Sequence, residues 1–170
     1  MFQAFDNLGP DRPPARAQWM AVLARAPLGL LESALQEHAA RPARWLRAPE
    51  TGLMMLQGRA GGTGERFNLG EVTVTRCALR VASASDATEA TVGVAYVLGR
   101  SHRQVQLAAV ADALLQDPVH QPMLDAQLLQ PILAHLRHIQ AERQARAAST
   151  RVDFFTVARE SGADNEEDTE

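Results

Sequence analysis

Residues 59–67 read Arg59-Ala60-Gly61-Gly62-Thr63-Gly64-Glu65-Arg66-Phe67, a glycine-rich turn between two segments with the composition of β-strands. Glycine tolerates positive φ and lets backbone N–H groups approach a partner closely. Two arginines flank the glycines, and guanidinium groups beside exposed N–H groups favour an anion. The stretch therefore predicts a β-hairpin whose turn is a candidate surface for a phosphate or for another chain.

Four strand-like segments surround this turn, at residues 43–48, 53–57, 69–81 and 91–98. The segment 53–57 is apolar from Leu53 to Leu56, which predicts a buried strand. The segment 69–81 is rich in valine and threonine, which favour strands. A polar loop of small residues at 82–90 precedes the last segment. The short connections predict an antiparallel meander of about four strands.

Helical patterns lie on both sides of the strands. Residues 15–26 and 28–40 each carry apolar residues on one face and end before a proline, so they predict a helix pair. Residues 102–116, with Ser101 as a candidate N-cap, are apolar almost all round and predict a deeply buried helix. A long helical stretch follows at about 122–148. The fold class predicted is α+β, with an N-terminal helix pair, the sheet, C-terminal helices and a docking arm.

The docking arm is predicted at the end of the last helix, where Arg151, Phe154 and Phe155 come together in sequence. Adjacent residues cannot both face the same way on a helix or a strand, so one phenylalanine can enter the core while the other meets a partner. Aromatic residues and arginine are common interface anchors. We expect one domain over 14–160, an irregular extension over 1–13 and a disordered acidic tail over 161–170.

The composition is that of a soluble globular protein, with 46% hydrophobic and 22% charged residues in a chain of 170. The net charge is −3, but five acidic residues lie in the last ten positions, so residues 1–160 hold 17 arginines against 15 acidic residues. This balance argues against nucleic acid as a partner. No signal peptide or membrane-spanning run is visible, so we expect a cytoplasmic protein with no membrane partner.

Lysine is absent and cysteine nearly so, and this excludes several kinds of chemistry. All 17 basic residues are arginine, so neither a P-loop lysine nor a lysine Schiff base is available. Cys77 is the one cysteine, so we expect no internal disulfide and no cysteine-based zinc or iron–sulfur site. His135 and His138 share a helix face but lack a third ligand, and we predict no metal site. Asp112 lies within the apolar helix and needs an arginine or a backbone donor.

The glycine turn itself leaves three interpretations open. It does not match a dinucleotide fingerprint, because a strand rather than a helix follows it, and without lysine it is not a P-loop. The first interpretation is a plain hairpin turn, in which Glu65 and Arg66 can pair. The second is a binding site for an anion, and the third is a contact with a partner's chain. The residues assigned to this candidate site are Arg59, Gly61, Gly62, Thr63, Gly64, Glu65, Arg66 and Arg100.

Several motifs in series resemble one known family. The first three are Ala48-Pro49-Glu50-Thr51-Gly52-Leu53, Gly61-Gly62-Thr63-Gly64-Glu65-Arg66-Phe67 and Gly70-Glu71-Val72-Thr73-Val74-Thr75-Arg76. The others are Tyr96-Val97-Leu98-Gly99-Arg100, Asp112-Ala113-Leu114 and Ser149-Thr150-Arg151-Val152-Asp153-Phe154-Phe155-Thr156. In order and approximate spacing over residues 15–159 they are similar to the PhnG family, the G subunit of the bacterial carbon–phosphorus lyase core complex.

The resemblance implies an accessory role in organic phosphonate catabolism. The family's G subunit assembles with H, I and J subunits, most directly with I. The complex acts as a transferase in which methylphosphonate displaces adenine from ATP, giving alpha-D-ribose 1-methylphosphonate 5-triphosphate. ATP and the alkylphosphonate are substrates of the complex, and the iron–sulfur cluster and S-adenosylmethionine belong to J. The resemblance implies no cofactor and no independent activity for this subunit alone, and it supplies no catalytic residue that can be assigned here.

Two rival functions follow from the residues without the resemblance. In the first, the chain is a stand-alone nucleotide- or phosphate-binding protein that uses the loop Gly61–Gly64. In the second, it is a pure assembly scaffold whose glycine loop merely turns the chain. The first rival predicts that the isolated chain binds ATP. The second predicts that substitutions in the glycine loop have no effect.

Overall fold

A computed structural model describes residues 16–36, 38, 43–82 and 90–152. The helices are α1 (Arg16–Leu23), α2 (Leu28–Ala34), α3 (His102–Leu115), α4 (Gln121–Leu124) and α5 (Gln130–Ser149), and the strands are β1 (Ala43–Arg59), β2 (Arg66–Ala82) and β3 (Ala90–Leu98). A short 3-10 turn, Ala60–Gly62, follows β1, and a π-helical segment, Asp125–Leu129, joins α4 to α5. The predicted extension over 1–13, the loop residues 83–89, the acidic tail, Phe154 and Phe155 lie outside the described residues. None of the described helices combines the length and apolarity needed to cross a membrane.

The sheet confirms the α+β class, but the predicted number of strands was wrong. It has three antiparallel strands in the order β1-β2-β3. The segments predicted at 43–48 and 53–57 are parts of one strand, β1, of 17 residues. The register of β1 against β2 shifts on both sides of Arg47, next to Pro49. Proline is tolerated in an edge strand at such an irregularity because its missing N–H is not needed there, so the chain continues where the sequence pattern suggests a break.

Helix α3 is the centre of the core. It contacts all three strands as well as α1, α2 and α4. A helix enclosed in this way needs apolar residues on every side, and each residue from Leu107 to Leu115 is buried. Its first turn is capped as predicted, since the Ser101 hydroxyl accepts a hydrogen bond from the Gln104 N–H at 3.2 Å. The predicted burial of this helix is therefore confirmed.

The sheet has an inner face that packs on α3 and an outer face that points away from it. Alternate residues of β2 are buried towards α3, including Cys77, Leu79 and Val81. Opposite Leu79 on β3 lies Gly93, whose backbone approaches the Ala109 carbonyl of α3 so closely that a Cβ does not fit. This close approach sets the distance between α3 and the inner face.

Asp112 joins α1, α3 and β3 through one fully buried carboxylate. Its oxygens accept hydrogen bonds from Arg16 Nη2 and Trp19 Nε1, both at 2.8 Å, and from the Val94 N–H at 2.9 Å. The bond to Asp112 also raises the pKa of the Arg16 guanidinium. The prediction that this aspartate needs an arginine or a backbone donor is confirmed, and both are present.

The chain divides into two compact units, residues 1–137 and residues 138–170. The first contains the sheet, α1 to α4 and the start of α5. In the second, the described residues 138–152 include the later turns of α5, where His138 and Glu142 form an exposed pair at 3.3 Å. The expectation of one domain over 14–160 stays a prediction.

We expect Gly93→Ala to destabilise the fold by about 3 kcal/mol, because the added methyl group must displace the α3 backbone at Ala109. Gly52→Ala is the matched control, since a Cβ at Gly52 meets nothing within 4 Å. Urea unfolding measured by circular dichroism gives both values. Equal midpoints for the two variants would show that the approach of α3 to β3 is looser than described.

Asp112→Ala should lower the free energy of unfolding by about 3 kcal/mol, because it leaves the buried Trp19 N–H and Val94 N–H without an acceptor. Glu32→Ala serves as the control, as its ion pair with Arg103 is exposed and 3.5 Å long and should contribute less than about 1 kcal/mol. Thermal unfolding of both variants measures the difference. A loss at Asp112 no larger than that at Glu32 would contradict the importance of this carboxylate.

Candidate functional site

The hairpin of β1 and β2 extends well beyond the third strand. The last pair between β2 and β3 is Val74 with Leu98, after which the Gly99 N–H bonds to the Thr73 carbonyl at 2.9 Å. From there only Leu53–Arg59 and Arg66–Thr73 continue, paired with each other. We call this two-stranded extension, with its turn at residues 60–65, the ribbon. Its length from Thr73 to Arg66 is about 23 Å at the usual rise per strand residue.

The candidate glycine turn forms the tip of the ribbon. Arg59 and Arg66 are the last cross-strand pair, and Gly61 and Gly62 follow with φ values of 60° and 80°. These positive φ values explain the two adjacent glycines, because other residues adopt them at a cost. The Gly64 N–H closes the turn with a bond to the Ala60 carbonyl at 3.0 Å. The turn is thus a hairpin, as predicted.

Arg59 and Arg66 leave an unbalanced positive charge at the tip. They share a cleft of about 310 Å³ with Gln57 and Gly58. The described residues provide no carboxylate in an ion pair with either arginine, and Glu65 does not pair with Arg66. Like charges directly opposite on two strands repel each other. An anion or a partner's carboxylate at the tip would remove this repulsion.

Residues 53–57, predicted to be a buried strand, are instead exposed on the ribbon. Leu53 is 66% accessible, and Met54, Met55 and Leu56 all exceed 44%. Successive side chains of a strand point to opposite faces, so this run is apolar on both faces of the ribbon. Helix α3 packs on the sheet mainly through β3 and β2. Within the described residues nothing covers the run, and the prediction of burial was wrong for the chain alone.

A chain of hydrogen bonds holds the base of the ribbon. The buried Thr75 hydroxyl donates to the Gly99 carbonyl at 2.6 Å, and it lies 3.0 Å from the Thr51 hydroxyl. His102 Nε2 lies 3.1 Å from Thr51 Oγ1. Because Thr75 uses its one proton on Gly99, Thr51 must donate to Thr75, and His102 Nε2 must carry a proton and donate to Thr51. These bonds link β1, β2, the end of β3 and the start of α3.

The outer face next to this base is basic. Arg44 lies opposite Arg80, and Glu50 lies opposite Arg76. The Glu50 carboxylate accepts bonds of 2.8 Å from both Arg76 Nε and Arg47 Nη1. The bond from Arg76 is the main cause that lowers the pKa of Glu50. We call Arg44, Arg47, Arg76 and Arg80 the basic strip; it contains four arginines and is accompanied by one glutamate.

The structure separates the residues that were grouped in the candidate site. Arg59, Gly61, Gly62, Thr63, Gly64, Glu65 and Arg66 all lie at the tip. Arg100 follows Gly99 at the base of the ribbon, more than about 20 Å of strand from the tip arginines. Arg151 is exposed just beyond α5. The candidate site is therefore divided: Arg59 and Arg66 form a pair at the tip, and Arg100 lies apart from them at the base of the ribbon.

The remaining candidates show no reactive arrangement. No group of three or more histidine, cysteine, aspartate or glutamate side chains is placed to hold a metal ion in the described ranges. His135 and His138 contribute to no such group. Cys77 is buried, its sulfur lies 3.3 Å from the Val105 carbonyl, and burial raises the pKa of its thiol to about 11. It fills space in the inner face.

Comparison with known proteins identifies the family. The family model described as phosphonate metabolism protein PhnG matches residues 14–160. The chain belongs to the PhnG family. It is also 39% identical over 145 residues to a protein of Rhizobium meliloti (strain 1021) named alpha-D-ribose 1-methylphosphonate 5-triphosphate synthase subunit PhnG. The alignment covers 85% of this chain and 88% of the relative. The resemblance seen in the motifs is therefore confirmed, and PhnG proteins are subunits in phosphonate metabolism.

We expect Cys77 to resist alkylation in the folded protein, because a thiol with a pKa near 11 is only about 0.1% thiolate at pH 8. Iodoacetamide labelling at pH 8, followed by mass spectrometry, should modify it only after urea is added. Ser33→Cys provides an exposed thiol on α2 that should react at once in the same sample. Rapid labelling of Cys77 without urea would show that it is accessible.

Proposed function

We propose that this PhnG protein is an accessory subunit of the carbon–phosphorus lyase complex in organic phosphonate catabolism. The observation that carries the proposal is the match to a synthase subunit over 85% of the chain. The described residues fit this role, since they offer arginines at the tip but no group of three or more histidine, cysteine, aspartate or glutamate side chains that could hold a metal ion. The chain supplies part of a site that other subunits complete.

The reaction of the complex is the displacement of adenine from ATP by methylphosphonate. The bond between C1′ of ribose and N9 of adenine breaks, its electron pair leaves with adenine, and adenine takes up a proton. A phosphonate oxygen forms the new bond to C1′, and the triphosphate at C5′ stays in place. The product is alpha-D-ribose 1-methylphosphonate 5-triphosphate. Both substrates are anions, so arginine is a suitable residue to bind and orient them.

The proposed partners are the H, I and J subunits, and the most direct contact is with I. The complex is a cytoplasmic transferase, and the isolated subunit has no activity of its own. The iron–sulfur cluster and S-adenosylmethionine belong to J. One buried cysteine is consistent with this division, because a cluster needs several thiolates. No nucleic acid or membrane takes part.

We assign the anion contact to the tip of the ribbon, facing the nucleotide site of the I subunit. Arg59 and Arg66 stand opposite each other without carboxylate partners. A triphosphate or phosphonate group beside them would relieve their repulsion and accept several charged hydrogen bonds. Arg100, at the base of the ribbon, is too distant to reach the same group and holds the interface instead.

Arg66→Ala and Gly62→Val should each lower product formation by the complex. The loss expected for Arg66→Ala is about 10- to 100-fold, because a charged hydrogen bond contributes about 1.5–3 kcal/mol. Gly62→Val forces a side chain into a φ of 80° and distorts the turn. The measurement is the rate of adenine release from ATP and methylphosphonate by the assembled complex. Arg103→Ala on α3 is the matched arginine control and should leave the rate unchanged.

Each rival function predicts a different result in these experiments. If both tip variants assembled and released adenine at the normal rate, the chain would be a scaffold whose turn has no role in binding. If the isolated wild-type chain bound ATP or phosphate in calorimetry, with affinity lost in Arg66→Ala, the stand-alone binding function would replace the accessory one.

A further inference from the structure

The outer face of the sheet carries an exposed apolar patch. It consists of six side chains with accessible fractions between 45% and 69%, namely Met54, Leu56, Phe67, Leu69, Tyr96 and Leu98. Large exposed apolar residues in one continuous area are uncommon on a protein that acts alone and mark interaction sites. The tip arginines are not among these six residues.

The strand register shows that these six residues share one face. Met54 pairs with Val72 and Leu98 pairs with Val74, and β2 residues alternate, so both lie on the same side as Arg76 and away from the inner face. Tyr96 pairs with Arg76 directly. The patch therefore crosses all three strands at the base of the ribbon.

The same face continues along the ribbon towards its tip. Leu56 and Gly58 follow Met54 at alternate positions, and Phe67 pairs with Gly58. A Cβ at Gly58 would meet Leu69 Cδ1 at 2.7 Å, so Leu69 covers Gly58 on this face. Two-stranded hairpins are only marginally stable in water unless a further layer packs on them. The ribbon has apolar side chains for such a layer and no layer among the described residues.

Arginines stand at both ends of the apolar patch. The basic strip lies at one end, and Arg59 and Arg66 lie at the other, at the tip of the ribbon. Over residues 43–82 there are six arginines and three glutamates. Glu50 compensates part of the strip through Arg47 and Arg76, whereas Arg44 and Arg80 oppose each other across the strands. The surface is apolar in the middle and positive at its two ends.

We propose that the outer face and the ribbon form one docking surface for a different protein chain, which presents an apolar surface with carboxylates at the end that meets the basic strip. This proposal deepens the proposed function, on which it rests, by naming the surface through which this subunit joins the complex. The partner supplies the layer that the ribbon lacks, and its carboxylates pair with Arg44 and Arg80.

A second copy of this chain does not suit the surface. A two-fold axis along the strands would place tip against tip, and an axis across them would place each tip against the other copy's basic strip. Both arrangements bring arginine against arginine, and like charges in an interface are costly. The charges therefore select a partner of opposite sign at these positions.

A cleft of about 330 Å³ lies where the patch meets the basic strip. Met54, Val74 and Tyr96 form apolar walls, and Glu50 and Arg76 stand at its rim. Its volume accommodates one large side chain of a partner. Interfaces depend most on such pockets, in which an anchor residue is enclosed by apolar and arginine side chains.

The test is co-purification of this chain with the H, I and J subunits, using an affinity tag on I. Leu98→Asp and Met54→Asp each place a carboxylate in the patch, and both positions are exposed, so the fold should be retained. Val119→Asp is the matched control, because Val119 is a similarly exposed apolar residue in the turn between α3 and α4. Circular dichroism and thermal unfolding of the isolated variants check the fold.

We expect each patch variant to be retained at least tenfold less than the wild type, while Val119→Asp is retained normally. Normal retention of both patch variants would overturn the docking surface but leave the proposed function intact. Failure of the wild-type chain to join H, I and J would overturn the proposed function and this inference together. A wild-type dimer in sedimentation that Leu98→Asp dissociates would assign the patch to a second copy and overturn the proposal.

Discussion

The fold depends on the buried carboxylate of Asp112. It accepts bonds from Arg16 and Trp19 of α1 and from the Val94 N–H of β3, so it holds two helices and a sheet edge in one arrangement. Without an acceptor the buried Trp19 N–H and the part-buried Val94 N–H would each be left without a hydrogen-bond partner. The Asp112 carboxylate holds α3 against one face of the sheet, where the Gly93 backbone permits close contact. Helices α1 to α4 therefore lie on the side of the inner face, and none of them covers the outer face.

Much of this arrangement follows from the sequence, because the relevant patterns are local. The apolar surround of α3, its Ser101 cap and the need of Asp112 for partners were all predictable, since each depends on burial or capping within the chain. The hairpin turn at Gly61 and Gly62 was predictable for the same reason. The motifs in series also identified the PhnG family, although no single motif among them is specific.

The rest could not be predicted, because it depends on what lies outside the chain. Residues 53–56 have the continuous apolar pattern of a buried strand, yet they are exposed on the ribbon. The pattern indicates that both faces of this segment are covered, but it does not indicate whether this chain or another chain covers them. The strand count failed for a different reason. Pro49 normally ends a strand, but β1 lies at the sheet edge, where a shift in register accommodates it.

The docking surface and the tip are physically coupled in the proposed complex. A pair of arginines can orient a phosphate only if their positions are held to a fraction of an ångström, because orientation is lost with small displacements. Arg59 and Arg66 stand at the end of a ribbon that extends about 23 Å beyond its support at Thr73. The bonds among Thr51, Thr75 and His102 fix the base of that ribbon but not its end. A partner packed on the outer face would supply the missing rigidity, so the surface that joins the complex would also position the arginines that serve its site.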